Sequence, residues 1–527
     1  MKGAGSSGGG GERRPKLSGF GLTRSPSAAL STGTSSRGGG CDDDERESCA
    51  PFFPAVVQIF TASVANCWEM PWSRSRPEKS TGSGWILNAG NDAQFIVTNA
   101  HVVEFASTLQ VRRESDSAKY EATILHVAHD VDLALLTVSK SSFWAGAPSL
   151  LLGPDPRIQQ KVHVIGYPIG GENLSVTGGV VSRVDWSDYA QSKASNLIVQ
   201  VDSAINSGNS GGPVMSNGRV CGVAFQSLDE ADNVGYIIPS LIVRRLIEDY
   251  ETSVQGALRG FAAFSIPFQR AENEALRKAV GVVDGVTGVL LGKPSAMSKL
   301  AGLVEKNDVL AEVDGHTVSN DGRIRRGESS ALDFRVAFSL KLVGEPITLV
   351  IYRGSERLEI STEAERIPEL VPSTWFKRPS FVCVAGLIFI PLHMHDTSDE
   401  LSPFFSAFLS SILTQQSATD QIVVLNGSAL PHSVTLGYDD DDFDELPLIS
   451  VDGKKIRNLA DVAAAVESAS GPLVEFAFAL DRVIVLPLNE GRRATADLMR
   501  EYGIAAPWSS DIAEELVRRK KGASATT

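Results

Sequence analysis

Between residues 53 and about 245 the chain alternates short apolar, β-branched runs with clusters of Gly, Pro, Asn and Asp. Val56-Val57-Gln58-Ile59-Phe60, Val162-His163-Val164-Ile165 and Leu197-Ile198-Val199-Gln200-Val201 are representative. Runs this short, bounded by turn residues, predict strands. No helical pattern separates them, so the spacing predicts antiparallel barrels and not βαβ units. Phe95-Ile96-Val97 reads as a buried strand, and Leu133-Ala134-Leu135-Leu136 as another apolar strand. The pattern changes at Pro239 to Tyr250, where Leu241-Ile242-Val243 and Leu246-Ile247 fall at helical spacing and predict a helix closing this region. Two further units follow, over 255–368 and 375–515, the second with a helix predicted from Ala460 to Glu467. Leu401 to Leu413, inside an insert at 396–420, has the spacing of an amphipathic helix.

Composition narrows the class. A chain of 527 residues with 43% hydrophobic residues has room for about three domains with ordinary cores. The net charge of −14 argues against nonspecific nucleic-acid binding. The longest apolar candidate for a span, Phe381 to Leu392, is too short and contains Pro391, so an integral membrane protein is not expected. The five Cys (41, 49, 67, 221, 383) are odd in number and scattered, which suits a reducing compartment better than a disulfide framework or a zinc site. Residues 1–52 open Gly/Ser-rich and basic with no apolar core of a secretory signal. Two readings stand for this segment: an organellar transit peptide, placing the protein in chloroplast or mitochondrion, or a disordered tail, leaving nucleus or cytosol. Residues 516–527 read as a basic disordered tail.

The candidate chemistry lies in three segments. Gly208-Asn209-Ser210-Gly211-Gly212-Pro213 sets a serine in a Gly-rich turn. A serine hydroxyl is a poor nucleophile and needs a base beside it and donors for the charge that its attack creates. Of eight His (101, 126, 129, 163, 316, 393, 395, 432), only His101 directly follows a buried strand in Thr98-Asn99-Ala100-His101. Asp132 enters the next apolar strand, with Asp130 as its rival. Ser210 would attack a carbonyl, His101 would carry the proton, and Asp132 would orient the imidazole. The turn Gly208, Asn209, Ser210 would supply the oxyanion hole, with the N–H groups of Gly208 and Ser210 as donors. The order His, Asp, Ser is that of the chymotrypsin-like double β-barrel. No metal is expected: His393 and His395 lack a third spaced ligand, and Asp439-Asp440-Asp441-Asp442 lacks the order of a calcium loop. No cofactor is implied.

These segments together resemble the HtrA/Deg family of serine proteases. Thr81-Gly82-Ser83-Gly84-Trp85-Ile86-Leu87 is similar to its first-barrel strand, and Val201 to Pro213 to its serine motif, with Ser207 where many members have Pro. Ile165-Gly166-Tyr167-Pro168 and Gly235-Tyr236-Ile237-Ile238-Pro239 narrow the likeness to the plant-type, Deg9-like group with two PDZ-like domains. The resemblance implies a mainly β chain: a trypsin-like, double-barrel protease domain over 53–250, then α+β PDZ-like domains at 255–368 and, degenerate, at 375–515. Gly302 to Leu310 with Val313-Asp314-Gly315-His316 resembles the centre of a PDZ domain, and Leu448 to Ile456 its counterpart in the second. PDZ domains add a peptide strand to a sheet edge and receive a carboxylate on loop N–H groups. Here that loop is Arg259 to Phe264, with Ala263 where many relatives have Gly. Alanine resists positive φ, which counts against binding of peptide C-termini.

Ala204, Ile205 and Asn206 before the nucleophile, with Ala224 and Phe225 on the facing strand, are expected to line the substrate pocket. No Asp or Glu stands at its base, so small aliphatic residues such as Val or Ala should fit and Lys or Arg should not. The resemblance implies unfolded or damaged proteins as substrates and a homo-oligomer, a trimer or hexamer. Loops at 184–196, 203–209 and 226–232 are expected to reposition the oxyanion donors. The alternative is a noncatalytic PDZ scaffold or holdase that keeps a protease fold.

Overall fold

A computed structural model describes residues 50–525 apart from 91–92, 115, 170–172, 193, 228–233, 254–256, 326–330, 373–376, 394–414, 428–429, 439–441 and 444–445. The segment 1–49, the Leu401–Leu413 helix, His395, Asp439 to Asp441 and most of the 226–232 loop therefore lie outside the described residues.

The first half is built from antiparallel strands: β1 (Val56–Ser63), β2 (Glu78–Gly90), β3 (Ala93–Thr98), β4 (Ala106–Arg113), β5 (Tyr120–Glu121), β6 (Thr123–Ala128) and β7 (Leu133–Thr137). They form one seven-stranded sheet in the order β5-β4-β1-β2-β3-β7-β6. Its edge strands are separated in sequence by Ala122 alone, so the sheet must roll until its edges approach. The next six strands, β8 (Lys161–Gly166), β9 (Ser175–Asp188), β10 (Ser195–Val201), β11 (Pro213–Ser216), β12 (Arg219–Ser227) and β13 (Gly235–Pro239), close into a barrel.

Strand period explains why β7 is apolar from Leu133 to Leu136. Ala134 and Leu136 point into the first barrel with Ile86, Ile96 and Val111. Leu133 and Leu135 point the other way, with Trp85 and Val97, onto Ile165, Tyr167, Leu197 and Phe225 of the second barrel. A strand buried on both faces has no polar alternation to show. This shared layer locks the barrels together and fixes the seam where the three candidate segments meet.

The predicted closing helix is α2 (Ser240–Glu251; the short α1 is Ala100–Val103). Ile242, Val243, Leu246 and Ile247 bury its apolar face, and Asp249, fully buried, accepts hydrogen bonds from Arg259 N (2.9 Å) and Gly260 N (3.0 Å). The chain is thereby clasped into the next unit. There Phe268–Gln269, Val289–Leu291, Val309–Val313, Pro346–Arg353 and Glu356–Glu363 form an antiparallel sheet. In the last unit Val382–Val384, Leu387–Pro391 and Val423–Leu425 form one sheet, and four strands between Leu448 and Pro487 form another. Both units turn a hairpin on Asp-Gly, Asp314-Gly315 and Asp452-Gly453, with positive φ at each residue. That is the preferred two-residue hairpin chemistry.

Of the tail expected to be disordered, residues 516–525 are helical. Ser510–Ala525 forms one helix because Ile512 and Leu516 are buried and Arg519 pairs with Asp461 at 2.7 Å. A charged composition concealed this docking face.

Candidate active site

β3 ends at Thr98, and Asn99 leads into α1, so His101 stands at the barrel seam. Asp132 occupies a left-handed position (φ 48°), a conformation that Asp tolerates better than most residues. This turns its buried carboxylate back onto α1. Oδ1 accepts from the His101 backbone N–H at 2.9 Å, and Oδ2 lies 2.6 Å from His101 Nδ1. Asn99 Nδ2 donates to Asp132 O at 2.8 Å. Asp130 points elsewhere and pairs with Arg366 at 2.6 Å. Of the two acidic candidates, Asp132 is thus the one that grips the imidazole.

Burial pulls His101 toward the neutral form, but the charge of Asp132, its hydrogen bond and the charge of Glu104 together lift its pKa above the ordinary value.

Ser210 is held in its turn by Ser83, a fully buried residue of β2. Ser83 N donates to Ser210 O at 3.0 Å. The Ser83 hydroxyl donates to Gly208 O at 2.6 Å and accepts from Tyr167 N at 2.8 Å. Thr98 Oγ1 donates to Ser83 O at 2.7 Å. One serine therefore ties the turn to both barrels and to the histidine strand. The sequence carries a signal for this in Gly82-Ser83-Gly84, a polar residue between two glycines in an apolar strand. Gly211 (φ 85°) is required here because a Cβ would lie 2.2 Å from Ser83 O. At Gly208 (φ 97°) a Cβ would lie 2.5 Å from Tyr167 O.

Among the described residues, neither Gly208 N–H nor Ser210 N–H has a protein acceptor. Asn209 N–H is occupied, donating to Asn206 O at 2.9 Å. The Ser210 hydroxyl donates to Phe225 O at 3.2 Å. It is turned toward that carbonyl instead of the imidazole.

Ile205 and Ala224 are buried in the second-barrel core, Phe225 is buried between the barrels, Ala204 is half-buried and Asn206 is exposed. In the PDZ-like loop, Ala262 N donates to Lys341 O and Ala263 N to Glu365 O, both at 2.9 Å. Ala263 is not among the residues of positive φ, so its amide faces its own fold. Among the described residues no group of three or more His, Cys, Asp or Glu could hold a metal ion, and no helix is long and apolar enough to cross a membrane. His393 packs edge-on against Trp68.

Residues 82–223 match the trypsin-like peptidase domain family, and residues 371–511 match the PDZ domain family. Protease Do-like 2, chloroplastic, of Arabidopsis thaliana is 33% identical over 475 residues, covering 89% of this chain and 77% of its own. Protease Do-like 4, mitochondrial, of the same plant is 30% identical over 479 residues, covering 90% and 89%.

Proposed function

From its membership of the HtrA/Deg (protease Do-like) family of trypsin-like serine proteases, we propose that this chain is an ATP-independent endopeptidase acting on unfolded or damaged proteins. The observation that carries the reading is the two-point grip of Asp132 on His101 beside a serine turn with two unspent amide donors.

The mechanism follows from those groups. The reaction requires the Ser210 hydroxyl to leave Phe225 O and turn toward His101 Nε2. The imidazole removes its proton as Oγ attacks the scissile carbonyl, and Asp132 holds Nδ1–H in place and stabilises the imidazolium. Gly208 N–H and Ser210 N–H receive the oxyanion; one such donor is worth about 100- to 1000-fold in rate. His101 then protonates the leaving amine, and water repeats the sequence on the acyl-enzyme. A seam between barrels admits an extended chain, so an unfolded protein should be degraded by the full chain while its folded form resists. Equal degradation of both would contradict the substrate class.

A second reading has its own support. The Ser210 hydroxyl is engaged with Phe225 O instead of the imidazole, as in a noncatalytic scaffold or holdase. Suppressed aggregation of an unfolded protein with no cleavage would favour it.

With Ala204, Ile205, Asn206, Ala224 and Phe225 around the pocket, cleavage after Val or Ala is expected. A peptide-library profile dominated by Lys, Arg or Phe would overturn this. The Gly/Ser-rich basic leader and the organellar names of the two relatives support delivery to chloroplast or mitochondrion.

A further inference from the structure

Three residues after His101, the chain carries a second carboxylate whose charge acts on the same dyad. Glu104 caps α1, and Phe105 follows it in a left-handed conformation (φ 50°), which a bulky aromatic residue seldom adopts. Phe105 O is held by Val64 N at 3.0 Å, so the reversal after Glu104 is fixed. Glu104 Oε1 is buried and has no hydrogen-bond partner. A buried carboxylate oxygen left unpaired is costly when charged and tolerable when protonated. Glu104 is close enough for the charges of Asp132 and His101 both to act on it.

Few other charges reach it. Of the strands against α1, β1 and β7 carry no titratable side chain. β2 carries Glu78 and Lys79 at its exposed start. β6 carries His126, which stacks on Tyr250 and which burial holds below its ordinary value against the charge of Asp249. In the turn before Asp132, burial and His126 push His129 down to about 4, and Asp130 is paired with Arg366.

We infer that Glu104 is a second proton-holding group of the site, a positioning residue whose charge state sets how basic His101 is and thus where activity fails toward acid pH. Its own environment agrees: burial, then the negative charge of Asp132, push it up to about 7 against the opposing effect of His101. Above that range Glu104 is ionised and strengthens the hold of His101 on a proton. Below it Glu104 is neutral and the hold relaxes. The acid limb of the reaction is therefore displaced upward and broadened, because the basicity of His101 falls as the pH falls. This inference rests on the proteolytic reading of the dyad and adds a pH response to it.

The test compares full-length wild type with Glu104→Gln, which keeps the shape and removes the charge. Measured as kcat/KM against pH on an unstructured fluorogenic polypeptide, the acid limb of the variant should lie about half a pH unit lower and follow a one-proton curve. Coincident limbs would overturn the inference. Titration of the His101 ring by NMR in the Ser210→Ala background should show the same displacement without turnover. If the ring shifts but neither protein cleaves at any pH, the coupling of Glu104 to His101 holds while the proteolytic reading, and with it the acid limb of activity, fails.

Stability supplies a further check of sign. Glu104 is raised from an ordinary value of 4.5 to about 7, so its contribution is complete below 4.5 and lost as pH rises through 7. The unfolding midpoint of Glu104→Gln should gain on wild type between pH 5 and pH 8. A constant or shrinking difference would contradict a half-buried, proton-holding Glu104.

Discussion

Replacing Ser210 by alanine is expected to lower the rate of peptide hydrolysis by about a millionfold, the order seen when a triad serine is removed. The substitution should leave the fold intact. The lost hydroxyl makes one 3.2 Å hydrogen bond, to Phe225 O, whereas the turn is held by Ser83 through Gly208 O and Ser210 O, both backbone atoms. A protein with wild-type circular dichroism and no residual degradation of an unfolded substrate is the expected outcome. Equal degradation by both proteins would assign the cleavage to something other than Ser210.

Asp132→Asn is expected to cost about ten-thousandfold in kcat with little change in KM. The reason lies in the double grip. Both carboxylate oxygens accept, one from the His101 backbone N–H and one from the ring at Nδ1. An amide must present its NH2 to one of those two sites. If it faces the backbone, it opposes a donor with a donor and loosens α1. If it faces the ring, it forces Nδ1 to accept, which moves the ring proton to Nε2, the atom that must receive the proton of Ser210. Both arrangements disable the base. A loss below about tenfold would mean that the dyad is not the proton carrier. Asp130→Asn should have a small effect by comparison, because the Asp130 side chain meets Arg366 and not the imidazole.

Much of this site is legible along the chain. The β-branched runs become the strands, and the helical spacing after Pro239 becomes α2. The burial of Asp132 has a local basis that the chain displays: a residue abutting an apolar strand is carried into the interior with it. The roles of Ser83 and Glu104 were not legible, since they depend on elements distant in sequence. Ser83 acts across 125 residues on Gly208, and Glu104 matters only because Asp132 folds back over α1. Ile205 looks like a pocket residue from its place before the nucleophile, yet its side chain is also part of the second-barrel core. The helix over Ser510–Ala525 is not legible locally because its apolar stripe is narrow and its ion-pair partners Asp461 and Glu467 lie some fifty residues upstream. The rotamer of Ser210 is a property of the assembled seam and leaves no trace in the chain.

Reaction of the full-length protein with a serine-directed fluorophosphonate, followed by mass spectrometry of the digested adduct, tests the reactivity of Ser210 most directly. The expected result is one labelled peptide carrying the phosphonyl group on Ser210, formed much more slowly in Asp132→Asn. No adduct on Ser210 in the folded protein, or labelling at the same rate once Asp132 is changed, would contradict activation of that hydroxyl by the His101–Asp132 pair.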